Sequence, residues 1–262
     1  MPVCIAVVPG SDLMVLKRVR NPVAAPEEKG DGVISRVASC LCIDFPENDT
    51  SIYYAGTEDG VIHKCSVSYT DQDLEHYAAH AGPVNKFRCS PYVPHVALSC
   101  SADWSVKLWD MHNTEDRNST LTFQTTDVSD AVTDVSWSSM RSTLFASVTG
   151  DGKVQVWDAS TLNPLISIQV FEEKEEDDAH GESKTSPAAA AAYDASPKPA
   201  APKKLSSVLF ALNAPVLVTG DNTGRVDVYR VLGVDLTPAS KDEQCDRLMR
   251  AITPDTAGVI GK

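Results

Sequence analysis

The chain has 262 residues, of which 42% are hydrophobic and 23% are charged, a balance typical of a globular protein with a sizeable core. Its formal net charge of −13 would repel phosphate backbones, which argues against nucleic acid as a partner. Seven cysteines form an odd set without a C-x-x-C pair, which argues against a disulfide framework and a zinc site. No apolar run approaches the ~18 residues that a membrane span needs, and the first residues lack a basic signal-peptide region, so we expect an intracellular protein.

The predicted elements begin with the end of a repeat unit. Residues 12–19, DLMVLKRV, are typical of a last strand, and we assign residues 1–35 to the end of a preceding unit and a connector. Residues 36–78 form the first whole unit, in which an apolar run, an Asp59-Gly60 turn and an alternating run follow one another. Asp-Gly between two such runs predicts two strands joined by a tight turn.

The same pattern returns in residues 79–125, 126–170 and 205–235. In every unit the position that ends the alternating run lies five residues after a turn position. The four pairs of positions are Gly60 and Cys65, Trp104 and Trp109, Gly152 and Trp157, and Gly224 and Tyr229. A further apolar run precedes each pair, so each unit contains at least three strands, and we expect a fourth.

The spacing of these units predicts a β-propeller. Successive turns lie 44, 48 and 72 residues apart, and the first two distances match the ~40–45 residues of a four-stranded blade. The surplus in the third distance lies in residues 171–204, an acidic run followed by Ala- and Pro-rich sequence that we predict to be disordered. We therefore expect an all-β fold of about four blades, with this insertion before the last blade and a C-terminal tail with a short helix over residues 236–262.

The repeats resemble WD repeats, most closely in the second unit. There the resemblance implies a buried hydrogen-bonded tetrad of His80, a serine of the second strand (Ser99 or Ser101), Asp103 and Trp109. Such a chain is physically reasonable, because buried polar groups must satisfy one another.

The other units keep less of this tetrad. The third unit keeps Asp151 and Trp157 but shows no histidine partner. The first unit has Asp59 with Cys65 in the tryptophan position, and the last unit has Thr223 and Tyr229 in the two positions.

The resemblance narrows to dynein intermediate chains. The stretch SCSADWSVKLWD, from Ser99, is similar to the Asp-Trp-Ser/Thr-Val-Lys phrase of that family. The stretches YYAGTEDGVIHKCSVSY and YAAHAGPVNKFRCSPY, from Tyr53 and Tyr77, resemble the axonemal outer-arm intermediate chain in particular. Members of that family carry about seven blades, so the resemblance implies the C-terminal part of a longer propeller. It also implies that the light-chain-binding region of the family lies upstream of this sequence.

The resemblance implies a non-catalytic scaffold subunit of ciliary or flagellar outer-arm dynein. Such a subunit would bind the tail of a dynein heavy chain and a second WD-repeat intermediate chain, and would help attach the motor to doublet microtubules. It would be assembled in the cytoplasm and would reside in the axoneme of the cytoskeleton, with no nucleic-acid or membrane partner. The six histidines show no paired ligand spacing, so we expect no metal, no cofactor and no enzyme activity.

Two other functions are alternatives at the level of sequence. One is a cytoplasmic or inner-arm dynein intermediate chain. The other is a WD-repeat adaptor that presents substrates to a ubiquitin ligase or a similar enzyme, since a propeller fold alone does not determine function.

Three local features also allow two interpretations each. Trp104 is either a partner anchor or a plug that packs on the neighbouring blade. Leu248, Met249 and Ile252 follow helical spacing, so the tail helix either packs on its own propeller or docks on a partner. The acidic run of the insertion is either simply solvated or an electrostatic contact for a basic surface.

Overall fold

The computed structural model describes residues 38–69, 72–112, 119–127, 129–171, 202–233 and 239–253. The predicted leading strand at residues 12–19 and almost all of the predicted insertion lie outside these residues. Within them the chain folds into fifteen β-strands and one α-helix. The strands form four antiparallel sheets, and each strand pairs with its neighbours in the sequence.

Three sheets have four strands, and the last has three among the described residues. The first sheet contains β1 (Cys40–Asp44), β2 (Ile52–Thr57), β3 (Val61–Ser66) and β4 (Glu75–Ala78). The second contains β5 (Val84–Cys89), β6 (Val96–Ser101), β7 (Val106–Asp110) and β8 (Leu121–Phe123). The third contains β9 (Val132–Trp137), β10 (Leu144–Thr149), β11 (Lys153–Asp158) and β12 (Pro164–Gln169). The fourth contains β13 (Leu205–Phe210), β14 (Val216–Asp221) and β15 (Val226–Arg230).

The second strand of a sheet lies at the centre of the packing. β6 and β10 are buried along their whole length, because each lies between two partner strands and between stacked sheets. The register places the tryptophan that ends the third strand beside the start of the second strand. Ala97 pairs with Trp109, and Phe145 pairs with Trp157. Sheets that bury both faces must stack on one another to exclude water.

The first strands of successive sheets hold the four sheets side by side. β1 contacts β5, β5 contacts β9, and β9 contacts β13. The register of β5 shifts around Asn85, whose Nδ2 donates to the carbonyl oxygen of Val132 in the next sheet at 2.7 Å. Thr133 Oγ1 donates in the same way to the carbonyl oxygen of Leu205 at 2.9 Å. This repeated link fixes each sheet to the next as the blades of one arc.

The arrangement confirms the predicted all-β propeller fold. The described residues contain four blades, and each blade begins at its innermost strand. The first three blades have the expected fourth strand, whereas the described part of the last blade ends at its third strand. Within the ranges given above, no helix is long and apolar enough to cross a membrane.

The two ends of the arc expose side chains that are buried elsewhere. On β15, Val226 and Val228 are 61% and 66% exposed. Val154 and Val156 occupy the same positions on β11, and they are 2% and 3% exposed. At the other end Ile43 on β1 is 53% exposed. The difference arises because a neighbouring described blade covers β11, while none covers β15.

The helix α1 (Lys241–Ile252) closes one end of the second and third blades. Ser240 caps the helix, because its side chain accepts a hydrogen bond from the Glu243 amide at 3.3 Å, the spacing of a capping box. Leu248 is fully buried and Ile252 is 4% exposed, both within the core of these two blades. The helix is therefore part of the folded unit.

Candidate binding rim

Every blade has two ends, and the candidate site lies at one of them. We call the end that carries the turns between the second and third strands the upper rim. It comprises the turns at residues 58–60, 102–105, 150–152 and 222–224 and the connections between blades at residues 79–83, 129–131 and 202–204. The opposite end, where α1 lies, is the lower rim.

Four side chains of the second blade form one buried hydrogen-bonded chain below the upper rim. His80 Nδ1 lies 2.9 Å from Asp103 Oδ2, and His80 Nε2 lies 2.7 Å from Ser99 Oγ. Trp109 Nε1 donates to the same Ser99 oxygen at 2.8 Å. Because a carboxylate can only accept, Nδ1 carries a proton and donates it to Asp103. The structure thus brings all four positions of the sequence-predicted tetrad together, with Ser99 rather than Ser101 as its serine.

Ser101 has a separate place in the turn. Its Oγ donates to the Gly82 carbonyl oxygen and accepts from the Asp103 amide, both at 3.1 Å. Ser105 Oγ donates to Asp103 Oδ1 at 2.6 Å. Burial alone would raise the pKa of Asp103, but the hydrogen bonds from His80 and Ser105 outweigh it and hold that pKa well below its ordinary value. Asp103 is therefore charged at neutral pH and ties the turn to the connection between blades.

The third blade divides the same arrangement into two separate links. Trp157 Nε1 donates to Ser147 Oγ at 2.9 Å. Asp151 Oδ2 accepts from the amide and the hydroxyl of Ser129 at 3.1 and 3.0 Å. Ser129 therefore stands in the place of the histidine, a role that the sequence analysis missed. Spacing was the available signal, since Ser129 precedes its aspartate by 22 residues and the histidine of the second blade precedes its own by 23.

The first and last blades keep only parts of the arrangement. In the first blade Cys65 fills the tryptophan position and is fully buried, while Asp59 is half-buried in the turn. In the last blade the acid and the hydroxyl have exchanged positions. Asp221 Oδ1 accepts from the amide and the hydroxyl of Thr223 at 2.9 and 2.6 Å. Tyr229 stands half-buried in the tryptophan position.

Close packing of the upper rim explains two of the turn glycines. A side chain at Gly60 would meet the carbonyl oxygen of His80 at 2.2 Å, and one at Gly152 would meet that of Lys203 at 2.4 Å. Both glycines also have positive φ angles, of 80° and 85°, which side chains disfavour.

Trp104 shares the left-handed backbone of those glycines but carries the largest side chain. Its φ angle is 70°, a conformation that costs a non-glycine residue about 1–2 kcal/mol. The residue is 46% exposed, which is too much for a plug that is buried against the neighbouring blade. All four tryptophans lie in the described residues, and the other three, Trp109, Trp137 and Trp157, are at most 8% exposed.

The structure places the apolar residues of α1 against its own propeller. Leu248 and Ile252 lie in the core of the second and third blades, and Met249 packs against the same cluster. Gln244 fixes the helix, because its Oε1 accepts from the Ser142 amide at 2.9 Å. These side chains cannot serve a partner while the helix is docked.

The chemistry of the described residues suits binding. In the part of the chain that the structure describes, no group of three or more His, Cys, Asp or Glu residues could hold a metal ion. Burial raises the pKa of Cys42 and Cys65 to about 11, so both thiols are protonated at neutral pH and are poor nucleophiles. What the arrangement provides is a hydrogen-bonded rim that presents the exposed indole of Trp104.

Comparison with known proteins identifies the repeats and the relatives. The family model described as "WD domain, G-beta repeat" matches residues 72–110 and 118–158. Dynein axonemal intermediate chain 4 of Rattus norvegicus is 38% identical over 226 residues, which is 84% of this chain and 24% of that protein. Dynein intermediate chain 2, ciliary, of Heliocidaris crassispina is 33% identical over 84% of this chain and 27% of that protein. The 78 kDa intermediate chain of the flagellar outer arm of Chlamydomonas reinhardtii is 29% identical over 88% of this chain and 29% of that protein.

The blades and the matched repeats define the chain as a WD-repeat β-propeller protein. Over the segment that they share, the chain is similar to WD-repeat dynein intermediate chains, which confirms the resemblance drawn from the sequence. The chain spans 24%, 27% and 29% of the lengths of these three relatives.

Proposed function

We propose that this chain is the propeller part of a non-catalytic scaffold subunit of axonemal dynein, located in the cilium or flagellum. The observation that carries the proposal is the 38% identity to an axonemal dynein intermediate chain across 84% of the chain. Similarity of this extent covers most of the blades and is not confined to one motif.

A propeller suits a scaffold because its rims hold side chains in fixed positions. The tetrad fixes the upper rim of the second blade, and α1 fixes the lower rim of the second and third blades. In the proposed complex these blades bind the tail of a dynein heavy chain and a second WD-repeat intermediate chain, and they help attach the motor to the doublet microtubule. Light chains bind a region upstream of the propeller, and the motor ATPase belongs to the heavy chain.

Two arms of the axoneme are candidates for the motor that this subunit serves. The resemblance of residues 53–69 and 77–92 to the outer-arm intermediate chain, and the named outer-arm relative, favour the outer arm. The second candidate is an inner-arm dynein. It is the second candidate because the relative with the higher identity, 38% against 29%, is an axonemal intermediate chain whose name specifies neither arm.

Affinity capture from axonemes tests the proposal. The tagged full-length gene product is captured from a high-salt extract of demembranated axonemes, and the co-purified proteins are identified by mass spectrometry. An untagged strain that is extracted in the same way provides the control. We expect axonemal dynein heavy chains together with a second WD-repeat intermediate chain.

The identity of the captured heavy chain distinguishes the two arms. Outer-arm heavy chains would support the first candidate, and inner-arm heavy chains would support the second. Absence from axonemes, with capture of cytosolic motor subunits or ubiquitin-ligase subunits from the cell body, would contradict the axonemal role.

A further inference from the structure

Trp104 combines two features that a purely structural residue would avoid. Its backbone is left-handed, where Gly60, Gly152 and Gly224 adopt the same conformation without a side chain. Its indole is also exposed, so the cost of the conformation is not offset by burial in the core. Strained residues persist where the surrounding structure holds them in place, and they cluster at functional sites.

The turn beneath Trp104 is rigid on both sides. Asp103 accepts from the Ala81 amide at 3.1 Å, and the Ala102 amide donates to the Pro83 carbonyl oxygen at 3.1 Å. The connection is thereby fixed against the turn, and Ala81 and Pro83 lie exposed beside it. A tryptophan on such a turn needs little ordering when it binds, which favours affinity.

The charge around Trp104 indicates the chemistry of a partner. The carboxylates on the upper rim of the first three blades belong to Glu58, Asp59, Asp103, Asp130 and Asp151, and Asp127 lies just before this rim in the connection to the third blade. Lys107 on β7 and Lys153 on β11 follow two of these turns, and each donates to a backbone carbonyl oxygen, of Ala79 and of Asp127 respectively. Lys203 and Lys204 lie in the connection to the last blade, where Lys203 is buried and pairs with Asp227. The turns and connections of the first three blades at this rim therefore carry more carboxylates than ammonium groups, on the same rim as the exposed indole.

We propose that Trp104, with Ala81 and Pro83 beside it, anchors a docking surface for a basic segment of a partner protein, in which an arginine side chain stacks on the indole. Arginine fits better than lysine, because a planar, weakly hydrated guanidinium can lie flat on an aromatic face while its edges bond to carboxylates. Tryptophan and arginine are also the side chains that most often dominate binding interfaces. The proposal concerns the rim of this chain and does not depend on which complex carries it.

Two matched variants separate the effect of losing the indole from the effect of relieving the backbone strain. Trp104→Gly removes the indole and installs the residue that the other three turns use, so the variant is expected to melt no lower than the wild type. Leu162→Gly is the control. Leu162 is the other described non-glycine residue with a positive φ angle, 58°, and it is 48% exposed on the lower rim.

The probe is a fluorescein-labelled synthetic peptide of alternating arginine and alanine, titrated with the 262-residue chain at low ionic strength and followed by anisotropy. We expect Trp104→Gly to bind it about tenfold more weakly than the wild type, while Leu162→Gly binds it as the wild type does. A peptide with lysine in place of arginine is expected to bind the wild type more weakly than the arginine peptide does. Its affinity should be the same for the wild type and for Trp104→Gly. In the wild type, the arginine peptide should also protect the exposed indole from acrylamide quenching.

The same titrations can overturn the proposal. Equal binding of the arginine peptide by the wild type and Trp104→Gly would show that the indole is not the anchor. No binding by the wild type at low ionic strength would exclude a basic partner segment, and equal binding of the two peptides would exclude arginine stacking. Failure of the axonemal capture would leave these outcomes unchanged, because they measure the rim alone.

Discussion

Ser99 and its counterpart Ser147 differ in the number of buried bonds that they make. Ser99 joins Trp109 and His80, whereas Ser147 accepts from Trp157. We predict that Ser99→Ala lowers the free energy of unfolding by about 3 kcal/mol and Ser147→Ala by about 1.5 kcal/mol, because each buried group left without a partner costs about 1–3 kcal/mol. Urea denaturation of the two variants checks this prediction. Equal decreases in the free energy of unfolding would show that the bond between Ser99 and His80 contributes nothing to stability.

The charge of Asp103 predicts a dependence of stability on pH. Hydrogen bonds outweigh burial and lower its folded pKa, so the charged form stabilises the folded state above the ordinary aspartate pKa of about 4. That contribution is lost progressively as the pH falls below about 4. We predict that Asp103→Asn has a lower melting temperature than the wild type at pH 7 and that the difference shrinks below about pH 4. Asp127→Asn, at an exposed position, is the control and should melt as the wild type does at pH 7.

At this scale, sequence spacing located some site residues and not others. The pattern that places Asp103 and Trp109 is local, since turn and strand adjoin in the chain, and the sequence shows it directly. The role of Ser129 depends on a bond across 22 residues to Asp151, and serine gives no signal as distinctive as histidine. The left-handed backbone of Trp104 could not be predicted either, because a tryptophan in the sequence gives no sign of a position that usually requires glycine.

Among the elements, α1 packs buried apolar side chains against the lower rim. Leu248 has no exposed surface and packs among side chains of the second and third blades. We predict that Leu248→Ala lowers the free energy of unfolding by about 3 kcal/mol, because it leaves a cavity in that core. Arg247→Ala, one residue away on the exposed side, should change it by less than about 0.5 kcal/mol. Urea denaturation of both variants provides the measurement. If Leu248→Ala lowers the free energy of unfolding as little as Arg247→Ala does, α1 is not docked in solution.

The elements also show where a sequence pattern stops being informative. The helical spacing of the apolar residues predicted a helix in the tail, and the structure has one at Lys241–Ile252. The surface on which it packs could not be predicted, because Gln244 bonds to Ser142, 102 residues earlier. Similarly, the alternating runs predicted the strands of each blade, but the links between blades could not be predicted, because Asn85 bonds to Val132, 47 residues later.

At the scale of the whole molecule, equivalent positions of two blades differ in burial, because a described blade covers one of them and not the other. Val156 on β11 is 3% exposed beneath the last blade, whereas Val228 occupies the same position on β15 and is 66% exposed. We predict that Val156→Ala lowers the free energy of unfolding by about 2 kcal/mol, because it removes buried methyl groups, and that Val228→Ala changes it by less than about 0.5 kcal/mol. Urea denaturation of the 262-residue chain checks both. A large decrease in the free energy of unfolding for Val228→Ala would mean that another surface covers β15 in solution, as a further blade of a seven-bladed ring would. This substitution therefore reports whether the last blade packs against another surface.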